Sequence, residues 1–198
     1  MFIYLKSINF LLISLIVILL NGCSSTNMKD FENKTPKLNL FEFFKGETVA
    51  YGIFEDRFGK LRRQFRVKIK GSVEENTLTL DEKFIYDDGE KATRIWKIKK
   101  INENNNLIKY EGSAEDVEGL ATGTSVGNAL NWTYDIYLNI KGSNLKVKFN
   151  DWIYKQDSNI AINRAYVSKF GIDIGSVTLV FLRGQTAKTV SPLNIKSW

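Results

Sequence analysis

Cys23 is the one cysteine of the chain, and it stands directly after an apolar run, in Leu20-Asn21-Gly22-Cys23-Ser24-Ser25. Lys6 is the only charge before it, and residues 8–20 are almost wholly apolar. A basic n-region, an h-region and a small residue at the cut make a signal peptide. The chemistry this points to is lipoprotein processing. The chain would be cut before Cys23, its sulfur would take diacylglycerol, and its amine a further acyl chain such as palmitate. An uncleaved anchor helix is the other reading, but the run is short for a span, which needs about 20 apolar residues. Two or more acyl chains give stable anchoring. Ser24, in place of Asp, points to the outer membrane. The expected location is the bacterial cell envelope, as an outer-membrane lipoprotein facing the periplasm.

A second place for chemistry lies near the C-terminus. Leu145, Val147, Phe149 and Ile153 alternate as apolar residues, and Asp151 shares their parity. Arg164 shares a face with Ile160, Ile162 and Tyr166. Alternation therefore predicts that Asp151 and Arg164 both point inward, on consecutive strands. A buried charge is costly unless it is paired and hydrogen-bonded. The pair either pins strand register or lines a cavity and binds a polar headgroup, and a bulge near Asn150 would shift the parity. Trp96, Trp132, Tyr134 and Trp152 are the candidate apolar walls of such a cavity, or plain core.

Absences prune the remaining chemistry. The chain has no histidine, so Ser-His-Asp and Cys-His catalysis are excluded, as are common zinc sites. Asp81, Asp87, Asp88, Glu115, Asp116 and Glu118 offer oxygen ligands, but EF-hand spacing is absent and no metal or other cofactor is expected. Gly119, Gly123 and Gly127 are four apart; glycines in a strand mark bulges, bends or close approach, so a curved strand or a portal loop is expected. The 28 Lys and Arg outnumber the 22 Asp and Glu, giving net +6. These charges are spread out, which excludes a nucleic-acid stripe and fits weak attraction to anionic lipid.

The elements that must position these residues read as β almost throughout. Phe65-Arg66-Val67-Lys68-Ile69-Lys70 alternates strictly, and Trp132, Tyr134, Ile136, Leu138 and Ile140 repeat the period. Asp87-Asp88-Gly89 predicts a hairpin with a type I′ turn. Asn39 to Phe44 is apolar enough to dock as a short helical turn or plug. The predicted organisation is a signal peptide over 1–22, a lipidated tether over 23–37, a β domain over 38–183 and a polar, loose C-terminal tail over 184–198. Many antiparallel strands raise the edge problem, which closure removes. The expected fold is all-β: a single antiparallel up-and-down, lipocalin-like β-barrel of about 8–10 strands.

Several segments carry a family resemblance. Tyr51 to Lys60 (YGIFEDRFGK), Phe84 to Gly89, Gly127 to Trp132, Asn150-Asp151-Trp152, Asn163-Arg164-Ala165 and Ser168 to Gly171 occur in order. Together they resemble DUF3833, a family of bacterial putative lipoproteins with a domain of unknown function. The resemblance implies a lipoprotein and a lipocalin-like barrel, and brings no activity. By analogy with such barrels, Arg183 is expected to cap the closed end by stacking on a first-strand aromatic, Tyr51.

The function expected is a membrane-anchored, non-catalytic barrel that binds an apolar or amphipathic ligand such as a lipid. The alternative is a structural or assembly partner in the envelope, with a filled barrel core. An enzyme would have to rely on Asp151 or a Tyr. The partners expected are the membrane, through lipid on Cys23, and an apolar ligand, with no nucleic acid and a monomeric chain.

Overall fold

The computed structural model describes residues 26–198 apart from 105–106, 141–142 and 191–192; the signal peptide and Cys23 lie outside the described residues. Ten strands follow one another: β1 (Gly46–Asp56), β2 (Leu61–Glu74), β3 (Thr77–Tyr86), β4 (Lys91–Asn104), β5 (Leu107–Ser113), β6 (Val117–Val126), β7 (Ala129–Ile140), β8 (Ser143–Lys155), β9 (Ile160–Lys169) and β10 (Ile172–Arg183). Each pairs antiparallel with the next, and β10 returns to pair with β1 from Thr48↔Arg183 to Asp56↔Gly175. The sheet is thus a closed up-and-down barrel. The period-two pattern decides which face is inside. Phe65, Val67 and Ile69 point into the barrel and Lys68 and Lys70 point out, with Lys68 reaching Glu47 on β1.

Turn chemistry sets the hairpins. At Asp87-Asp88-Gly89 the hairpin forms as expected, but the turn differs from the type I′ prediction. Only Gly89 has a positive φ (84°), Gly89 N–H donates to Tyr86 O, and Tyr86 N–H donates to Glu90 O. This is a three-residue loop with its glycine in the left-handed region. The Asp88 carboxylate accepts from Glu90 N–H across this turn.

One end of the barrel is stoppered by the chain's own N-terminal segment. A 3-10 turn (Met28–Phe31) packs Phe31 on Trp152 and Tyr154 outside the barrel. The chain then crosses the rim, where Leu38 N–H donates to Gly127 O and Ser125 Oγ donates to Leu38 O. It enters as helix α1 (Leu40–Phe44), N-capped by the Asn39 side chain. Leu38, Leu40, Phe43 and Phe44 are at most 3% exposed, as buried as any core residue. The apolar plug expected from Asn39 to Phe44 is this helix. Arg183 does cap this end, but over the Phe43 ring at 5.6 Å; Tyr51 points outward and is exposed, because its parity is that of the outer face.

The C-terminal tail is docked rather than loose. Helix α2 (Gly184–Thr189) and Leu193 bury Ala187 and Leu193 against Val49 on the outside of β1, and Arg66 stacks over the Trp198 ring at 4.4 Å. The tail looks polar overall, yet Ala187, Val190, Leu193 and Ile195 fall where they can cover that patch.

Gly71 on β2 meets the plug directly. A Cβ there would stand 1.8 Å from the Phe44 carbonyl oxygen, a backbone atom that cannot swing away. Gly71→Ala must push α1 off its seat, and overpacking of this kind costs about 1–3 kcal/mol. Urea unfolding should show a loss at or above the top of that range; an unchanged midpoint would mean that the plug does not sit on β2.

Candidate functional site

Above the plug the barrel is hollow. A lumen of about 530 Å³ runs from α1 to the opposite end, where the β1–β2, β3–β4, β5–β6 and β9–β10 turns surround its mouth. Its floor is apolar: Leu40 and Phe44 of the plug meet Leu80, Ile98, Ile153 and Phe181. Above the floor, Trp96 and Trp132 make an edge-to-face contact at 5.7 Å, and Trp96 makes another with Tyr134 at 5.3 Å. Trp132 fits because two facing positions carry no side chain. A Cβ on Gly123 would lie 2.2 Å from its ring and one on Gly112 2.8 Å. Gly123 is therefore a close-approach glycine. Gly119, at φ 69°, marks the irregular register of β6 between Glu118 and Thr122.

Halfway up the lumen the wall turns polar. On one side Glu82 of β3 is register partner to Arg94 of β4, both lining the lumen. Arg94 grips Asp116 with two donors, Nε at 3.1 Å and Nη2 at 2.5 Å. On the other side Asp151 of β8, only 7% exposed, accepts from Asn163 Nδ2 of β9 at 2.8 Å. The Tyr134 hydroxyl sits beside the same carboxylate. Apart from that hydroxyl, Asp151 Oδ2 and Asn163 Oδ1 are buried and receive no hydrogen bond among the described residues. They are acceptors buried in the lumen wall.

The charges in this belt feel burial first. Desolvation pushes the Asp151 carboxyl up to about 6, against the pull of Asn163, Tyr134 and Arg94. Desolvation likewise pushes Glu82 up to about 7, with Arg94 pulling it down and the neighbouring carboxylates adding to the rise. Burial works against the Arg94 charge, but Tyr134, Glu82 and Asp116 around it hold the guanidinium above its ordinary range. The belt can therefore bind a donor-bearing polar group and exchange a proton near neutral pH.

The sequence candidates separate cleanly. Asp151, Trp96, Trp132 and Tyr134 line the lumen together. Arg164 and Trp152 do not. They are register partners on the outer face, where Arg164 donates to Thr178 Oγ1 at 2.7 Å and lies 3.5 Å from Glu55, and Trp152 packs under Phe31. The parity of β9 is the reverse of the expectation: Ala161, Asn163, Ala165 and Val167 face inward, while Ile162 and Tyr166 are exposed. Small residues face in here, so the large apolar ones mark the wrong side. The Asp151 partner is thus Asn163, which no charge pattern flagged, and the belt's other half, Glu82 and Arg94, was hidden among strand residues of mixed polarity. Much of the acidic set offered as oxygen ligands serves ion pairs: Asp116 holds Arg94, Asp88 holds Arg63, and Glu118 pairs with Lys146.

Burial that outweighs the pull of Arg94 has a stability consequence. Asp151 and Glu82 hold their protons in the native lumen at pH values where the unfolded chain has lost them. Between about pH 4 and 7 the native state binds more protons, so stability falls as pH rises through that window. Asp151→Asn keeps an acceptor for Asn163 and removes the buried charge. It should stabilise the protein at about pH 8 by on the order of 2 kcal/mol and change little at about pH 4. Urea unfolding at both pH values measures this; a variant less stable than the parent at about pH 8 would mean that the carboxylate is held by a favourable charge after all.

Comparison with known proteins agrees with this architecture. No curated protein matches the chain. Among solved structures, an S-type phycobiliprotein lyase, CPES, from Guillardia theta superposes with a TM-score of 0.55 at 8% identity, covering 81% of this chain and 98% of the lyase. A redesigned β-barrel, mFAP1, bound to DFHBI aligns more loosely, with a TM-score of 0.37 at 10% identity, covering 72% of this chain and 97% of that one. The lyase likeness is one of fold. The family described as "Protein of unknown function (DUF3833)" matches residues 17–183, which take in the plug and all ten strands, and the chain belongs to that family.

Proposed function

We propose that this protein is a membrane-anchored lipoprotein whose barrel carries an apolar or amphipathic ligand, such as a lipid, in its lumen. The observation that carries the reading is the lumen itself: about 530 Å³, stoppered at one end and open at the other. That volume falls within the range of small-molecule sites, which are mostly apolar with a few placed polar groups. A filled core, which a purely structural barrel would have, leaves no such space. The apolar floor and aromatic middle suit a hydrocarbon body. The acceptors Asp151 and Asn163 suit a hydroxyl or ammonium donor on it. Anchoring rests on the sequence around Cys23, with Ser24 supporting the outer membrane.

Ala165 tests the lumen. It is buried on the inner face of β9 and lines the cavity, so Ala165→Phe puts a ring where ligand would lie. A fluorescent fatty acid should take energy from Trp96 and Trp132 when it binds the parent, and Ala165→Phe should weaken that uptake by about tenfold or more. Native mass spectrometry of protein purified from cells should show bound lipid in the parent and less in the variant. Absence of both uptake and co-purified lipid in the parent would refute a carrier role.

A further inference from the structure

Two neighbouring hairpin tips at the mouth expose aromatic residues that the fold does not use. Phe58, in the β1–β2 turn, is 83% exposed, and Phe170, in the β9–β10 turn, is 92% exposed. β1 pairs with β10, and Arg57 N–H donates to Ile174 O, so the two tips stand side by side. Ile172 and Leu61 beside them are also exposed.

Phe170 is also held in a conformation its side chain resists. Its φ is 51° and that of Gly171 is 77°, the pair of positive values of a type I′ turn. The first of those positions favours Asn, Asp or Gly, and for a bulky residue it is a true outlier. Phe170 gains nothing in return from packing. Strain held at an exposed residue points to function.

The surroundings say what these rings meet. Arg57 stands over Phe58 at 5.1 Å and Lys169 over Phe170 at 5.2 Å, and Lys60 and Arg62 are exposed on the same tips. The acids here are Asp56, which is taken up by Arg62 and the amides of Phe58 and Lys60, Glu55, which lies 3.5 Å from Arg164, and Asp173. Beyond β2, the β3–β4 tip is acidic, with Asp88 and Glu90 binding Arg63. One side of the rim is therefore apolar at its points and cationic at its base, the arrangement that sits at a bilayer interface. A protein partner would need no such separation of ring and charge.

We propose that the β1–β2 and β9–β10 side of the mouth docks on an anionic lipid bilayer, with Phe58 and Phe170 entering the interface and Arg57, Lys60 and Lys169 meeting the headgroups. Docking brings the opening of the lumen to the surface from which a lipid would pass. The proposal goes beyond the carrier reading and stands without it, since a rim can dock whatever the lumen holds.

The test uses the full chain made by cell-free synthesis without membranes, so that the Cys23 sulfur carries no lipid and couples the chain to beads, with capture of labelled vesicles as the readout. Vesicles of phosphatidylcholine alone set the background, including any binding by the apolar N-terminus. Vesicles with about 30% phosphatidylglycerol should be captured above that background, and the excess should fall with salt. Phe58→Ser together with Phe170→Asn should remove about nine-tenths or more of the excess. Phe170→Asn alone should leave the melting temperature equal or raised, because Asn accepts the positive φ, so lost capture cannot be put down to unfolding. Capture of anionic vesicles that is undiminished in the double variant, or no excess over neutral vesicles in the parent, overturns the proposal. Fatty-acid uptake by the parent separates the two readings: no uptake with vesicle capture intact defeats the carrier reading and leaves the rim as a docking surface.

Discussion

Everything in this molecule follows from the pairing of β10 with β1. That ladder closes ten strands into a ring and leaves no edge to protect. Closure also fixes a width. Eight strands give an interior that side chains can just fill, and ten make a wider one. The chain meets this surplus width in two ways. At one end it pushes α1 into the opening, so that Phe43 and Phe44 do the work of missing strand side chains. At the other it leaves the space open. Plug and lumen are thus two answers to one geometric demand.

The lumen in turn explains why a polar belt is tolerated. Glu82, Arg94, Asp151 and Asn163 would be poor core residues in a packed barrel, where each unpaired group costs free energy. In the wall of a cavity, Asn163 holds Asp151 and Asp116 holds Arg94, while Glu82 stands beside Arg94 in register. The belt lies between an apolar floor and a mouth rich in Phe and Leu. A ligand with an apolar body and one polar group matches that order of surfaces, and a wholly apolar one would leave the acceptors unmet.

The fold was legible because period two is explicit where one face is wet. Phe65 to Lys70 and Leu145 to Ile153 state their parity without ambiguity, and Asp151 was placed inward on that ground. The plug was visible as an apolar cluster ahead of the first strand. β9 was not legible, because parity reads hydrophobic size and this strand turns small residues inward. Ala161 and Ala165 face the lumen and the second cluster of exposed apolar side chains, Ile162 and Tyr166, faces out. The partner of Asp151 was missed for the same reason, since an amide leaves no trace in a charge pattern. Glu82 and Arg94 needed the register between β3 and β4, which only the closed barrel supplies.

Orientation completes the argument. The N-terminal segment meets the barrel at its stoppered end, through Phe31, Leu38 and α1. Four residues separate Cys23 from the turn at Met28, five steps of chain with a reach of at most about 18 Å. A ten-residue strand, tilted as barrel strands are, spans about 25 Å along the axis. A lipid on Cys23 would therefore bring the closed end to the membrane that holds it and turn the mouth away. The basic, aromatic side of the rim then faces whatever lies across the compartment. A barrel hung through Cys23 by its stoppered end would then present the proposed docking tips, Phe58 and Phe170, to a membrane opposite.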